Sequence, residues 1–196
     1  MKDVSPITDL DDVRAIYKRF QKWGRNREAE LVMLGCNVAL RISDLLQLKF
    51  DDIKEMELEG RLVGYVELEE KKTRKGKKLT LNKSAMAAIE RLRALNPDAI
   101  YLFEGTGNRT KGEHKPISRQ YVSTQLIDVK ESLGLDYRLN THSLRKTFGY
   151  HAYKNNTDIN VLQKLFNHSS VSETFKYIGI TDERVRDVYL SVEIGL

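Results

Sequence analysis

Apolar residues recur at helical spacing through most of this 196-residue chain, and the pattern breaks once. The break is "RLVGYVELEEKKTRKGKKLTLN", residues 61–82. Two short apolar segments there flank a turn rich in Lys, Arg and Gly, which predicts two strands of a hairpin with Gly76 near its tip. Helical patterns on both sides then fix the class: mainly α with one small antiparallel sheet (α+β).

The helices are read from their stripes and end signals. "DLDDVRAIYKRFQKWG" carries Leu10, Val13, Ile16, Tyr17, Phe20 and Trp23 on one face, with acids in the first turn and Gly24 at the end. A second helix is predicted over 26–37 and a short third in "ISDLLQL", with Ser43 as its N-cap. Ser84 is expected to cap the helix of "SAMAAIERLRALNP", which stops near Pro97, and Ser118 opens another that ends near Gly134. Residues 104–116 read as a Gly-rich polar loop. Further helices fit 143–154, 158–166 and about 171–177, and "TDERVRDVYLSVEIGL" closes the chain with Val185, Val188, Tyr189 and Val192 on one stripe. No repeat, low-complexity tract or linker divides the chain, so residues 1–196 are expected to form a single domain.

Composition narrows the function. Cys36 is the only cysteine and sits in an apolar run, which rules out an intrachain disulfide or a cysteine-based metal site. The polar, acidic start is no signal peptide, and no apolar run reaches membrane-spanning length. A soluble cytoplasmic protein is expected. Lys and Arg outnumber Asp and Glu by 33 to 28, an excess that matters only where it clusters. It clusters in the hairpin turn: six of the eight residues 71–78 are Lys or Arg. Lys71, Lys72, Arg74, Lys75, Lys77 and Lys78 form either a solvated turn or a surface for a phosphate backbone, whose counterions such a cluster releases.

Three further places bear reactive side chains. Arg41 follows an apolar run and needs an anion if half-buried. Asp44, three positions on, is one candidate, in a simple intrahelical pair. In "HSLRKTFGYH", residues 142–151, His142 and Arg145 share a helix face near a cap at Thr141 or Ser143, while Lys146 is expected to point elsewhere. Two basic groups at a positive helix start favour a bound anion, though a surface helix with scattered charge fits these residues too. In "FNHSSVSETFKYIGI", His168 precedes a Ser-Ser turn. Tyr177 lies on a short helix between turns, where its hydroxyl can be exposed, whereas Tyr17 and Tyr189 fall on packing stripes. His114 and His151 are assigned to structure or solvent, and the four histidines show no metal-ligand spacing.

Taken in order, the arginine of "LRISDLLQL", a lysine in a strand hairpin, "HSLR", "NHSSVSET" and a tyrosine resemble the tyrosine recombinase (phage integrase) family. No single motif is specific, but the ordered set covers the chain from Arg41 to Tyr177. The resemblance implies that Arg41 and Arg145 are the two catalytic arginines. It makes His142 the histidine of the His-x-x-Arg box, His168 the His-or-Trp position and Tyr177 the nucleophile. The hairpin lysine becomes Lys72, with Lys71 its nearest competitor, and Asp44 an acidic support for Arg41.

Two departures stand out. Phe166-Asn167-His168 occupies the place of the family's common Leu-Gly-His, and Val38-Ala39-Leu40-Arg41 that of Thr-Gly-Leu-Arg. The family's separate N-terminal core-binding domain is also not visible in the roughly 40 residues before Arg41.

Such a set implies site-specific recombination of double-stranded DNA through a covalent 3′-phosphotyrosine. A tyrosine nucleophile stores the energy of the broken bond in the protein–DNA link, and two always-charged guanidinium forks suit the phosphoryl charge that develops. Lys72 is expected to protonate the leaving 5′-hydroxyl, and His142 to take the tyrosine proton or orient the site. No cofactor or metal is expected, the cations filling that role. Arg109, Lys111 and Lys115 in the loop are weaker candidates for backbone contact. The family works as a tetramer on paired sites and passes a C-terminal segment to a neighbour. The Val185–Val192 stripe suits that exchange, or packing on its own domain. DNA relaxation of the type IB topoisomerase kind, and a non-catalytic DNA-binding remnant, are the competing readings.

Overall fold

The computed structural model describes residues 4–69, 76–105, 113–180 and 190–194, with the side chain of Lys77 left aside. Its helices are α1 (Leu10–Lys22), α2 (Asn26–Val38), α3 (Ile42–Leu45), α4 (Lys83–Leu95), α5 (Arg119–Leu133), α6 (Thr141–Lys154), α7 (Ile159–Phe166) and α8 (Val171–Ile178). Three strands, β1 (Lys54–Leu58), β2 (Arg61–Glu69) and β3 (Gly76–Leu81), form one antiparallel sheet in the order β1-β2-β3. The α+β expectation holds, and the sheet is one strand larger than the sequence suggests. β1 pairs with β2 in a register that sets Lys54 opposite Tyr65 and Leu58 opposite Arg61. Its sequence, KEMEL, is poor in strand-forming residues, and only Met56 is partly covered, so its strand signal is weak.

Helix starts follow cap chemistry, and some caps differ from expectation. Asn82 rather than Ser84 caps α4: its side chain accepts from Ala85 N at 2.9 Å. α3 begins two residues earlier than Ser43 would place it, with Arg41 in the cap position. Ser118 caps α5 as expected, accepting from Tyr121 N at 3.0 Å, and Gly134 ends it in the left-handed region.

α2 is the central helix, packed against α1, α4 and α6. Its apolar residues Leu31, Val32, Leu34 and Val38 are buried in the larger of two apolar clusters, with Val13, Ile16 and Phe20 of α1. Leu10 and Trp23, at the ends of the α1 stripe, stay partly in solvent. α2 also buries a charge. Glu30 accepts from Arg91 Nε and Nη2 at 2.8 and 2.9 Å and from the Tyr17 hydroxyl at 2.6 Å, which satisfies a carboxylate that burial would otherwise penalise. The smaller cluster, Ala39, Leu162, Phe166, Ile178 and Ile180, joins the end of α2 to α7 and α8. Gly149 makes this junction possible. A Cβ on it would stand 2.6 Å from Ile178 Cγ2 and 2.7 Å from the Phe166 ring, so α6 meets α7 and α8 through a glycine.

Candidate active site

Four short structural devices bring the candidate residues together. α2 ends at Val38, Ala39 turns left-handed (φ 53°, ψ 23°), and Arg41 enters α3 two residues later. α7 ends at Phe166, Asn167 turns left-handed (φ 55°, ψ 44°), and His168 follows at once. Both left-handed positions are those where the resembling family commonly has glycine, and the backbone has kept the conformation without it. Asn is the non-glycine residue best suited to that region, whereas Ala39 bears its cost outright. α6 supplies His142 and Arg145 from its first turns. Its cap is Asn140, whose N–H donates to Ser143 Oγ at 3.0 Å, so Ser143 completes a capping box rather than starting the helix. α8, capped by Ser170, carries Tyr177 in its last turn.

Arg145 sits at the middle of the cluster and is only 3 % exposed. Its Nη2 donates to the Phe166 carbonyl at 3.1 Å, its guanidinium carbon is 5.0 Å from the Phe166 ring centroid, and its charge acts on the Tyr177 phenol. The rings of His168 and Tyr177 meet edge to face at 4.9 Å, and Phe166 touches both. His168 Nδ1 lies 3.1 Å from Thr174 Oγ1, a buried hydroxyl that fixes the ring and turns Nε2 outward. Asp44 is 5 % exposed, one turn beyond Arg41.

Electrostatics marks the same spot. Burial pushes the Tyr177 phenol above its ordinary value, and the Arg145 and Arg41 charges pull it part of the way back. Burial lowers His142, and the cations Arg119, Arg145, Lys146 and Arg41 lower it further. His168 is lowered by burial above all. Glu173 opposes that shift, and Arg145 and Arg41 add to it. Both imidazoles are thereby held neutral near pH 7, so one nitrogen of each can accept a proton. Two half-buried histidines and a phenol among converging cations form a site built for an anion.

Arg41, His142, Arg145, His168 and Tyr177 thus converge although the first and last of them, Arg41 and Tyr177, stand 136 positions apart in the chain. Lys72, with Lys71, Arg74 and Lys75, lies outside the described residues, as do Arg109, Lys111, Val185, Val188 and Tyr189. Lys78 faces Glu67 across the β2–β3 pair and sets its ammonium 4.1 Å from the Tyr65 ring centroid. Lys77 faces Leu68 in the register. His114 and His151 are structural, as expected: His114 Nδ1 is 2.9 Å from Glu104 Oε1, and His151 Nε2 is 3.0 Å from the Ile7 carbonyl. Lys115 pairs with Glu113.

Two residues that the sequence left aside belong here. Lys146 was expected to point away, yet its Nζ is 5.1 Å from the Tyr177 ring centroid. The signal was present: Lys146 is four residues from His142, on the same helical face. Arg119, the first residue of α5, acts on His142 from another helix, and no local spacing reveals it.

Known proteins resemble this chain in sequence and in fold. The phage integrase family matches residues 7–184. A probable integrase/recombinase of Bacillus subtilis (strain 168), YoeC, is 34% identical over 189 residues, which is 96% of this chain and 97% of that protein. The tyrosine recombinase XerD of Corynebacterium glutamicum is 30% identical over 172 residues, 83% of this chain. This chain spans 51% of that XerD, about half its length. Among solved structures, XerA recombinase superposes with a TM-score of 0.71 at 19% identity, over 100% of this chain and 66% of that one. The XerH recombinase bound to its difH substrate after cleavage gives 0.68 at 19% identity, over 91% and 50%. Recombinase and integrase names recur among these relatives, which favours strand exchange over topoisomerase-like relaxation or a non-catalytic remnant. The chain belongs to the phage integrase family, an enzyme of the tyrosine recombinase class whose work is DNA recombination.

Proposed function

We propose that residues 1–196 act as a catalytic domain that cuts and rejoins double-stranded DNA at specific sites through Tyr177. The observation that carries this reading is the Tyr177 phenol, edge-on to His168 at 4.9 Å and under the charges of Arg145 and Arg41. Tyr177 Oη attacks the scissile phosphorus, the P–O5′ bond breaks, and a 3′-phosphotyrosine forms. A 5′-hydroxyl from a second strand later attacks the same phosphorus and expels the tyrosine.

Arg41 and Arg145 hold the nonbridging oxygens, and their charge matches what gathers there in the transition state. His168, whose Nδ1 donates to Thr174 Oγ1, takes up a proton as the phosphate binds and then donates from Nε2 to the same phosphoryl group. His142, neutral among cations, accepts the phenol proton. Lys72 delivers a proton to O5′, while Lys71, Arg74, Lys75, Lys77 and Lys78 carry the DNA backbone. The reaction takes place in the cytoplasm, on DNA sites paired within a tetramer. Val192 is 63% exposed, which supports a tail that reaches a neighbouring subunit.

Incubation with nicked duplexes that lose the released 5′ strand tests this. The wild-type protein accumulates a covalent adduct, and Tyr177→Phe forms none. An equal yield from both removes the tyrosine from the reaction.

A further inference from the structure

A strap of residues 4–9 crosses α6 and is fastened along its length. Ile7 N donates to Thr147 Oγ1 at 2.8 Å, and its side chain is fully buried. The Ile7 carbonyl is 3.0 Å from His151 Nε2, and Ser5 N donates to the Arg138 carbonyl at 3.2 Å. Pro6 reaches the other helix of the site. A Cβ on Gly179, which ends α8, would stand 3.2 Å from Pro6 Cδ. Lys146 is where the strap and the nucleophile meet. Its Nζ donates to the Val4 carbonyl at 2.7 Å, and the same ammonium stands 5.1 Å from the Tyr177 ring centroid.

We propose that Lys146 is a positioning residue for Tyr177, seated by the Val4 carbonyl of the strap. This rests on Tyr177 being the nucleophile. An attack in line with the leaving oxygen tolerates little misplacement of a phenol on the last turn of a short helix. An ammonium over the ring face restrains it through the ring quadrupole and favours the phenolate as it forms. The other groups facing Tyr177 are Arg145 on the same helix as Lys146, Arg41 at the start of α3, and His168 and Phe166 at the α7–α8 turn. From the strap come neutral groups, the Val4 carbonyl and Pro6. Because the seat is a backbone carbonyl, it depends on the path of the strap and not on a side chain. Anything that lifts the strap therefore loosens the nucleophile.

The test compares single-turnover cleavage of a nicked duplex, DNA affinity at fixed salt and thermal midpoint in wild type, Lys146→Met, Lys146→Arg and Thr147→Val. Lys146→Met should slow cleavage about tenfold without a matching loss of DNA affinity, the size of one desolvated cation–ring contact. Its rate should also need a higher pH to reach its plateau. Lys146→Arg keeps the charge and should recover most of the rate. Thr147→Val keeps Lys146 but removes the Ile7 anchor, and should slow cleavage to a lesser extent. Wild-type cleavage by Lys146→Met overturns the proposal, as does equal slowing by Met and Arg, which would mean packing alone. If Lys146→Met does not fold, Lys146→Gln takes its place under the same criteria. Adduct formation by Tyr177→Phe would strike at the nucleophile itself, a failure distinct from these.

Discussion

Proton traffic at single residues is the sharpest consequence of this site. His142 and His168 both lie below the ordinary imidazole value of about 6.5, so near and below that pH the unfolded chain binds protons that the folded chain refuses. Stability is therefore full above about pH 6.5 and falls as the pH drops toward the lower folded values. A bound phosphodiester reverses the local balance, because it offsets the Arg41, Arg145, Arg119 and Lys146 charges that depress His142. An NMR titration should show both imidazoles moving up in the presence of an uncleavable duplex, and no movement would place the phosphate elsewhere. Lys72 has its own test. A 5′-bridging phosphorothioate supplies a leaving group that needs little protonation, so it should rescue Lys72→Ala far more than Arg145→Ala. Rescue of Lys71→Ala instead would move the acid by one residue. At this scale the candidate set that the structure brings together was legible, because Arg41, His142, Arg145, His168 and Tyr177 stand in a distinctive order. Lys146 and Arg119 were not. One was misplaced on its helix face, and the other acts across helices that spacing within one segment cannot relate.

Elements deliver these residues, and their junctions are more demanding than their interiors. α6 can approach α7 and α8 because Gly149 has no Cβ to meet Ile178 and Phe166. Gly149→Ala should force those helices apart, cost about 1–3 kcal/mol of stability by overpacking, and slow adduct formation at temperatures where the variant is still folded. Urea unfolding and cleavage measured together would show it, and an unchanged cleavage rate would mean that the spacing of α6 and α8 does not set the geometry of Tyr177. Helix existence was readable from apolar spacing, and Ser118 and Gly134 marked the ends of α5 correctly. Caps elsewhere moved by a residue or two, as with Asn82 and Asn140, because neighbouring polar residues compete for the same role. β1 escaped notice because its acidic residues hide a strand held mainly by its pairing with β2. The left-handed turns at Ala39 and Asn167 were hidden as well, since neither residue advertises a positive φ as glycine does.

For the molecule as a whole, the formal net charge of +5 is small for a protein that handles DNA. In the proposed function, affinity comes from local clusters, namely the site cations and the basic residues of the hairpin turn. Binding should weaken steeply with salt, and replacing Arg74 and Lys75 by alanine should lower the slope of log affinity against log salt by about two. An unchanged slope would take the turn off the DNA. The larger apolar cluster around α2 gives the scaffold, and the smaller one under α7 and α8 ties Tyr177 to the end of α2 and so to Arg41. In the proposed function this second cluster places one particular tyrosine, Tyr177, on the scissile phosphate. The most direct measurement is to trap the covalent adduct on a nicked duplex, digest it with protease and nuclease, and map the nucleotide-bearing peptide by mass spectrometry. The modification should fall on Tyr177; finding it on Tyr189, or on any other residue, would overturn Tyr177 as the nucleophile.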